Sequence, residues 1–157
     1  MMNAISSPCV YLNLSAETGH KLYTEVTMVL GVGTDLIEIE RIAQSVSRFG
    51  MRFLHRVYSA REIAYCQTKR NAAESFAARF AAKEAAAKAL GTGISHGISW
   101  LEIEVVRLPS GKPSLQLTGR ALNRARALGV ARSSLSLTHS KNLAMAFVVM
   151  EDGVMKD

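Results

Sequence analysis

The feature that most constrains this sequence is an alanine-rich segment at residues 75–90, SFAARFAAKEAAAKAL, in which half of the residues are alanine. Alanine has the highest helix propensity of the amino acids, so a run of this length predicts one long helix. Gly91 follows directly and suits the left-handed C-cap with which many helices end. We expect the other elements of the fold to pack against this helix.

Shorter elements are predicted on both sides of the alanine-rich helix. Residues 28–36 form a buried strand, a helix interrupted by Gly50 follows, and a capping box at Ser59 and Glu62 begins another helix. Alternating apolar residues and turn signals predict the remaining elements, which are strands at 101–105 and 114–117, a helix at 120–128, and a hairpin of strands at 133–138 and 143–150. The order β-α-α-α-β-β-α-β-β predicts an α+β fold with a largely antiparallel sheet.

The length of 157 residues corresponds to one domain. Residues 1–27 show no sustained periodicity, and we interpret them as a poorly ordered extension before a domain at 28–157. The alternative is that residues 9–14 add an edge strand. No run of about 20 apolar residues and no secretory signal is present, which argues against a membrane protein. Two widely separated cysteines fit a reduced, cytoplasmic protein.

Positive charge is concentrated in one part of the chain. The formal net charge is +6, yet residues 41–88 alone contain ten Lys or Arg and three Asp or Glu, a local charge of +7. A basic face can be merely solvated, but it also suits docking of an acidic partner. Nucleic acid is disfavoured as that partner because no RNA-binding aromatic motif is present and aromatic residues make up only 6% of the chain.

Three charged residues are candidates for chemistry. Asp35 stands at the end of the first strand, where a carboxylate can hold a hard cation, although Asp at such a position also forms turns or caps helices. Glu84 and Lys88 lie four residues apart on one face of the long helix, where Ala77 and Ala81 leave room for a ligand. The alternative for this pair is an ordinary ion pair on the helix surface.

Two further features suit phosphate binding. The loop Gly91-Thr92-Gly93 offers small residues whose backbone N–H groups can approach a phosphate, although such a loop is common. His139, at the turn of the final hairpin, can bind phosphate or transfer a proton near neutral pH, or it can be an exposed turn residue. A dinucleotide-binding G-x-G-x-x-G motif is excluded because Leu36 occupies its third glycine position, and no P-loop is present.

Four sequence blocks together resemble the holo-[acyl-carrier-protein] synthases of the phosphopantetheinyl transferase superfamily. The blocks are GVGTDLIEIERI (31–42), FLHRVYSAREI (53–63), FAARFAAKEAAAKALGTG (76–93) and SLTHSKNLAMAFVVME (136–151). They occur in the family's order, with GKP (111–113) between the last two. The resemblance covers about residues 28–151 and implies the family's α+β fold, a mostly antiparallel sheet packed against the long helix.

The resemblance also implies an activity, which is transfer of 4′-phosphopantetheine from coenzyme A to a serine of an acyl carrier protein. Mg²⁺ is the implied cofactor, and adenosine 3′,5′-bisphosphate is released. Asp35 and Glu84 match the family's metal ligands, in agreement with the preference of Mg²⁺ for one or two carboxylates plus substrate phosphates. Glu84 would activate the serine, directly or through a water, and Lys88 would stabilise or protonate the departing phosphate.

The same resemblance assigns residues to the two substrates. The residues expected to bind coenzyme A are Arg79, Lys83, Lys88, Gly91, Thr92, Gly93 and His139. Those expected to dock the acidic carrier protein are Arg41, Arg48, Arg52, Phe53 and Arg56, in a region where this chain carries one extra residue. The family implies a homotrimer with active sites between subunits, and carriers of fatty acid or of polyketide synthesis both remain open as partners.

Two other interpretations compete with an enzyme. A basic, non-catalytic module that binds RNA or an acidic protein would explain the charge, but it would not explain why Asp35, Glu84 and Lys88 all fall on motif positions. A catalytically inactive homologue with a regulatory role is disfavoured by the intact metal motif. We therefore expect an active transferase.

Overall fold

The computed structural model describes residues 27–94 and 97–153. In chain order its elements are β1 (Val29–Glu38), α1 (Ile39–Val57), α2 (Ala60–Gln67), α3 (Ala72–Ala89), β2 (Ile103–Arg107), β3 (Pro113–Leu117), α4 (Gly119–Leu128), β4 (Val130–His139) and β5 (Leu143–Asp152). This is the predicted order, with one 3₁₀ turn at Trp100–Glu102 added before β2. The N-terminal extension and its alternative edge strand lie outside the described residues, except for residue 27.

The strands of the described segments form two antiparallel sheets. One contains three strands in the order β1-β5-β4, and the other pairs β2 with β3. The predicted C-terminal hairpin is β4 and β5, and β1 pairs along β5 so that Asp35 lies opposite Ala146. The predicted α+β class with antiparallel sheets is confirmed.

Helix α3 packs closely against strand β1 because both present small residues at the contact. A Cβ atom on Gly31 would overlap the carbonyl oxygen of Ala89, and one on Gly33 would overlap that of Ala85. Most of α3 is buried. Neither α3 nor any other helix of the described residues is long and apolar enough to span a membrane.

Helix α1 changes direction at Gly50, where the sequence predicts an interruption. Gly50 has φ 54° and ψ −138°, a conformation that L side chains rarely adopt. Leu54 and Val57 are buried beyond the kink, whereas Phe49 and Met51 beside it are about half exposed. The kink therefore lets the second part of α1 enter the core while it leaves two large apolar side chains at the surface.

One face of the three-stranded sheet has no covering element among the described residues. Val32 and Leu36 of β1 and Met145 and Phe147 of β5 are 37–59% exposed. Leu36 is paired with Met145, so these side chains form one continuous patch. Exposed apolar patches on a folded domain commonly mark interaction surfaces.

A buried ion pair joins α2, α3 and the segment that leads into β2. Lys83 Nζ lies 2.8 Å from Glu62 Oε2, and neither side chain is accessible to solvent. The ammonium also donates to the carbonyls of Trp100 and Ile103, while Glu62 Oε1 accepts the N–H of Val105. Burial lowers the pKa of Lys83, and the Glu62 carboxylate opposes this shift. All three ammonium protons thus have acceptors within the core.

Loss of one partner of this pair should destabilise the fold. Lys83→Met leaves the Glu62 carboxylate buried without its counter-charge, so we expect the free energy of unfolding to fall by about 3–5 kcal/mol in urea titrations. The double variant Lys83→Met/Glu62→Gln should recover part of that loss because the buried charge is removed. A change below about 1 kcal/mol, as for an exposed pair, would contradict this role. Lys112→Met is the matched exposed control.

Candidate active site

Asp35 and Lys88 meet where strand β1 crosses helix α3. Lys88 Nζ lies 2.8 Å from Asp35 Oδ1 and also donates to the carbonyl of Thr34 at 3.0 Å. The Lys88 side chain is half exposed, whereas that of Asp35 is mostly covered. Asp35 lies within β1, so the alternatives of a turn former or a helix cap are wrong for this residue.

Glu84 lies one helical turn before Lys88 on α3. Its Oε1 accepts a hydrogen bond of 2.8 Å from the indole Nε1 of Trp100. The alternative of a Glu84–Lys88 surface ion pair is wrong, because the carboxylate within 4.0 Å of Lys88 in the described part of the chain is Asp35. Asp35 and Lys88 are therefore in contact where β1 meets α3, and Glu84 precedes Lys88 by one turn on the same helix.

These residues could hold a hard cation without enclosing it. Asp35 and Glu84 each have one carboxylate oxygen engaged by a neighbouring donor, Lys88 and Trp100 respectively. Within residues 27–94 and 97–153 no group of three or more His, Cys, Asp or Glu side chains is assembled into a metal site. The two carboxylates of Asp35 and Glu84 suit Mg²⁺, which is commonly held by one or two carboxylates with substrate phosphates and water as the other ligands.

Arg79 and His139 line one open cavity of about 290 Å³ together with Tyr65, Glu74 and Arg107. Arg79 is almost completely buried, and its Nε has no hydrogen-bond partner among the described residues. Buried polar atoms are rarely unpaired, so this guanidinium is suited to an anionic ligand. His139 is exposed at the end of β4, and its Nδ1 lies 4.0 Å from Glu74 Oε2.

Tyr65 and Arg107 are cavity residues that the sequence did not predict. The Tyr65 ring contacts Lys69 and Arg79, each 4.2 Å from the ring centre, and its hydroxyl is hydrogen-bonded to Arg107. Burial raises the pKa of the Tyr65 phenol, but hydrogen bonds from Arg107 and Lys69 outweigh burial and lower it. No motif links residues so distant in sequence, so only the fold reveals this cationic group.

The geometry does not support two of the predicted phosphate contacts. Lys83 is fully buried in its ion pair with Glu62, so its ammonium has no access to solvent in the described part of the chain. The N–H groups of the glycine loop are also engaged, since Gly91 donates to the Lys88 carbonyl and Thr92 and Gly93 donate to that of Ala87. The loop closes α3 and offers no row of free donors. Thr92 Oγ1 is buried without a partner among the described residues.

The predicted docking residues lie along α1. Arg52, Phe53 and Arg56 line one groove with Phe49, Val57 and Trp100, whereas Arg48 and Arg41 lie before the kink. The four arginines of this strip are exposed. Among the residues that the structure describes, no carboxylate lies within ion-pair distance of them. The surface therefore combines free cations with exposed aromatic area.

Comparison with known proteins adds an independent line of observation. Residues 31–148 match the family model described as the 4′-phosphopantetheinyl transferase superfamily. The chain is 53% identical over 125 residues to the holo-[acyl-carrier-protein] synthase of Koribacter versatilis, covering 80% of this chain and all of that relative. It is 52% identical over 128 residues to the enzyme of the same name from Maricaulis maris, covering 79% of this chain and 90% of the relative.

Solved structures agree with the sequence relatives. The crystal structure of holo-[acyl-carrier-protein] synthase from Neisseria meningitidis superimposes with a TM-score of 0.72 at 36% identity, covering 80% of this chain and all of that one. The Helicobacter pylori enzyme in complex with coenzyme A gives a TM-score of 0.67 at 35% identity, covering 76% and 98% of the two chains.

Proposed function

The chain belongs to the 4′-phosphopantetheinyl transferase superfamily, and from this membership we propose that it is a holo-[acyl-carrier-protein] synthase. It transfers 4′-phosphopantetheine from coenzyme A to a serine of apo-acyl carrier protein and releases adenosine 3′,5′-bisphosphate. The observation that carries the proposal is the similarity to synthases of that name along 90% or more of their length. The meeting of Asp35 and Lys88 beside Glu84 supports it.

Asp35 and Glu84 are the residues that would hold Mg²⁺ in this reaction. When bound, the ion would neutralise the pyrophosphate of coenzyme A and polarise the phosphorus under attack. The two carboxylates suit this role because the substrate itself supplies further oxygen ligands. Lys88 adds a positive charge on the same region of α3.

The transfer is a substitution at the phosphorus that carries the pantetheine group. The serine Oγ forms a bond to that phosphorus, and the bond from phosphorus to the bridging oxygen breaks. The bridging oxygen and its electron pair leave with adenosine 3′,5′-bisphosphate. Glu84 accepts the serine proton, and Lys88 stabilises the charge that develops on the leaving phosphate or protonates it.

The phosphates of coenzyme A are assigned to the cavity around Arg79. The buried Nε of Arg79, which has no partner within residues 27–94 and 97–153, supports this assignment, and His139, Tyr65 and Arg107 lie on the same cavity. The buried position of Lys83 removes it from the proposed binding set. Lys88 and the Thr92 hydroxyl remain as further contacts near the end of α3.

The carrier protein is assigned to the strip of Arg41, Arg48, Arg52, Phe53 and Arg56 on α1. An acidic partner would complement its exposed guanidinium groups, and Phe53 offers apolar area in the groove. The proposed cellular role is the supply of holo-carrier protein in the cytoplasm for fatty acid biosynthesis, with a polyketide carrier as the alternative.

The apolar face of the three-stranded sheet is assigned to subunit contacts. Val32, Leu36, Met145 and Phe147 are exposed in the single chain, and burial against other copies would remove them from water. A homotrimer with active sites at the subunit interfaces is the assembly that the family resemblance implies.

Substitution of either proposed metal ligand should abolish transfer without unfolding the domain. We expect Asp35→Ala and Glu84→Ala each to lower the rate at least ~100-fold, because the pyrophosphate loses part of its charge compensation. The measurement is mass spectrometry of apo-carrier protein incubated with coenzyme A and Mg²⁺. Glu151→Gln is the control carboxylate. If the unsubstituted protein adds no phosphopantetheine to a cognate carrier, the proposed function is wrong.

Reversal of charge on α1 should weaken carrier docking selectively. Arg48→Glu should raise the KM for carrier protein at least ~10-fold and leave the KM for coenzyme A within about twofold, since Arg48 is not among the residues that line the cavity around Arg79. Arg126→Glu, an equal charge change on α4, should alter neither constant. If both variants raised the KM for carrier protein equally, carrier binding would depend on the net charge of the protein and not on this surface of α1.

A charge on the exposed apolar face of the three-stranded sheet should disrupt the assembly. Multi-angle light scattering should give three times the chain mass of 17.1 kDa for the unsubstituted protein and a smaller species for Phe147→Asp. Asn123→Asp, which adds the same charge on α4, should leave the mass unchanged. A monomeric unsubstituted protein would argue against the trimer.

A further inference from the structure

Trp100 is the single tryptophan of the chain, and it contacts the proposed catalytic carboxylate. Its indole Nε1 lies 2.8 Å from Glu84 Oε1, and its ring lies 6.0 Å from that of Phe80 in a tilted arrangement. The ring also lines the groove that contains Arg52 and Phe53. One side chain thus belongs to the wall of the groove and to the environment of Glu84.

The position of Trp100 is fixed from its backbone side. Its carbonyl accepts a hydrogen bond of 3.0 Å from the buried Lys83 ammonium. The 3₁₀ turn that contains it is closed by a capping box between Ser99 and Glu102. Adjacent residues of α3 therefore hold Trp100 at two points, Lys83 at the main chain and Glu84 at the indole.

Because the Trp100 indole is held in place, its N–H group restricts the conformations of the Glu84 carboxylate. A glutamate on a helix has several rotatable bonds, and an unrestrained carboxylate would sample many positions. A hydrogen bond to an ionised acceptor is stronger than one between neutral groups. The indole N–H therefore fixes one oxygen of Glu84 and leaves the other for a ligand or a proton.

We propose that Trp100 is the positioning residue for Glu84, holding its carboxylate in the geometry needed to bind the metal ion and to accept the serine proton through a water. This inference rests on the proposed function of Glu84. Reactions that depend on preorganised groups lose rate when those groups become mobile, even if the substrates still bind. The expected signature is thus a loss of kcat and of metal affinity, with the KM for coenzyme A preserved.

The test compares Trp100→Phe with Phe80→Leu. Trp100→Phe keeps an aromatic ring and removes the donor, whereas Phe80→Leu disturbs packing on the indole and keeps the donor. We expect Trp100→Phe to weaken Mn²⁺ binding, measured by electron paramagnetic resonance with coenzyme A present, and to lower kcat, each by about tenfold. The KM for coenzyme A should change less than about twofold. Phe80→Leu should retain both Mn²⁺ affinity and kcat.

The outcomes separate this inference from the function on which it rests. Normal Mn²⁺ affinity and kcat in Trp100→Phe, with an active unsubstituted protein, overturn the positioning role alone. Equal losses in Trp100→Phe and Phe80→Leu also overturn it, because packing would then explain the effect. An unsubstituted protein that neither transfers phosphopantetheine nor binds Mn²⁺ overturns the proposed function together with this inference.

Discussion

The buried Lys83 ammonium is the interaction on which the arrangement of this protein depends. It connects α3 to Glu62 of α2 and to the main chain at Trp100 and Ile103, so one charge fixes the relative positions of three segments. Desolvation of the ammonium is costly, but the paired carboxylate and two carbonyls satisfy all of its donors. Such a cluster fixes the relative positions of these segments more closely than an apolar contact of similar size would, because each N–H donor is directed at one acceptor.

Close approach of β1 and α3 is the second constraint. Gly31 and Gly33 have no side chain, and α3 presents alanine at the facing positions, so the strand backbone lies against the helix backbone. Asp35 follows on the same strand and reaches Lys88 for that reason. The small residues therefore do more than favour a helix. Larger side chains between β1 and α3 would move the Asp35 carboxylate away from the Lys88 ammonium.

The local elements were predictable because their signals are local. Alanine content defines α3, Gly50 marks the break in α1, and the capping box at Ser59 begins α2. Burial and distant pairing were not predictable. Lys83 has the sequence context of a phosphate ligand, and only the fold places it in the core. The contact of Tyr65 with Arg107 and the exposed apolar face of β1 and β5 likewise arise from tertiary packing.

The adjacency of Lys83 and Glu84 has a consequence that neither residue has alone. Successive positions on a helix point about 100° apart, so one side chain can enter the core while the next remains near the surface. Lys83 points into the core and donates a hydrogen bond to the backbone carbonyl of Trp100. Glu84 points in a different direction and accepts a hydrogen bond from the Trp100 indole. The interaction that stabilises the core therefore also determines where the proposed catalytic carboxylate lies. A change in core packing at Lys83 would be transmitted through Trp100 to the proposed active site over a path of two hydrogen bonds.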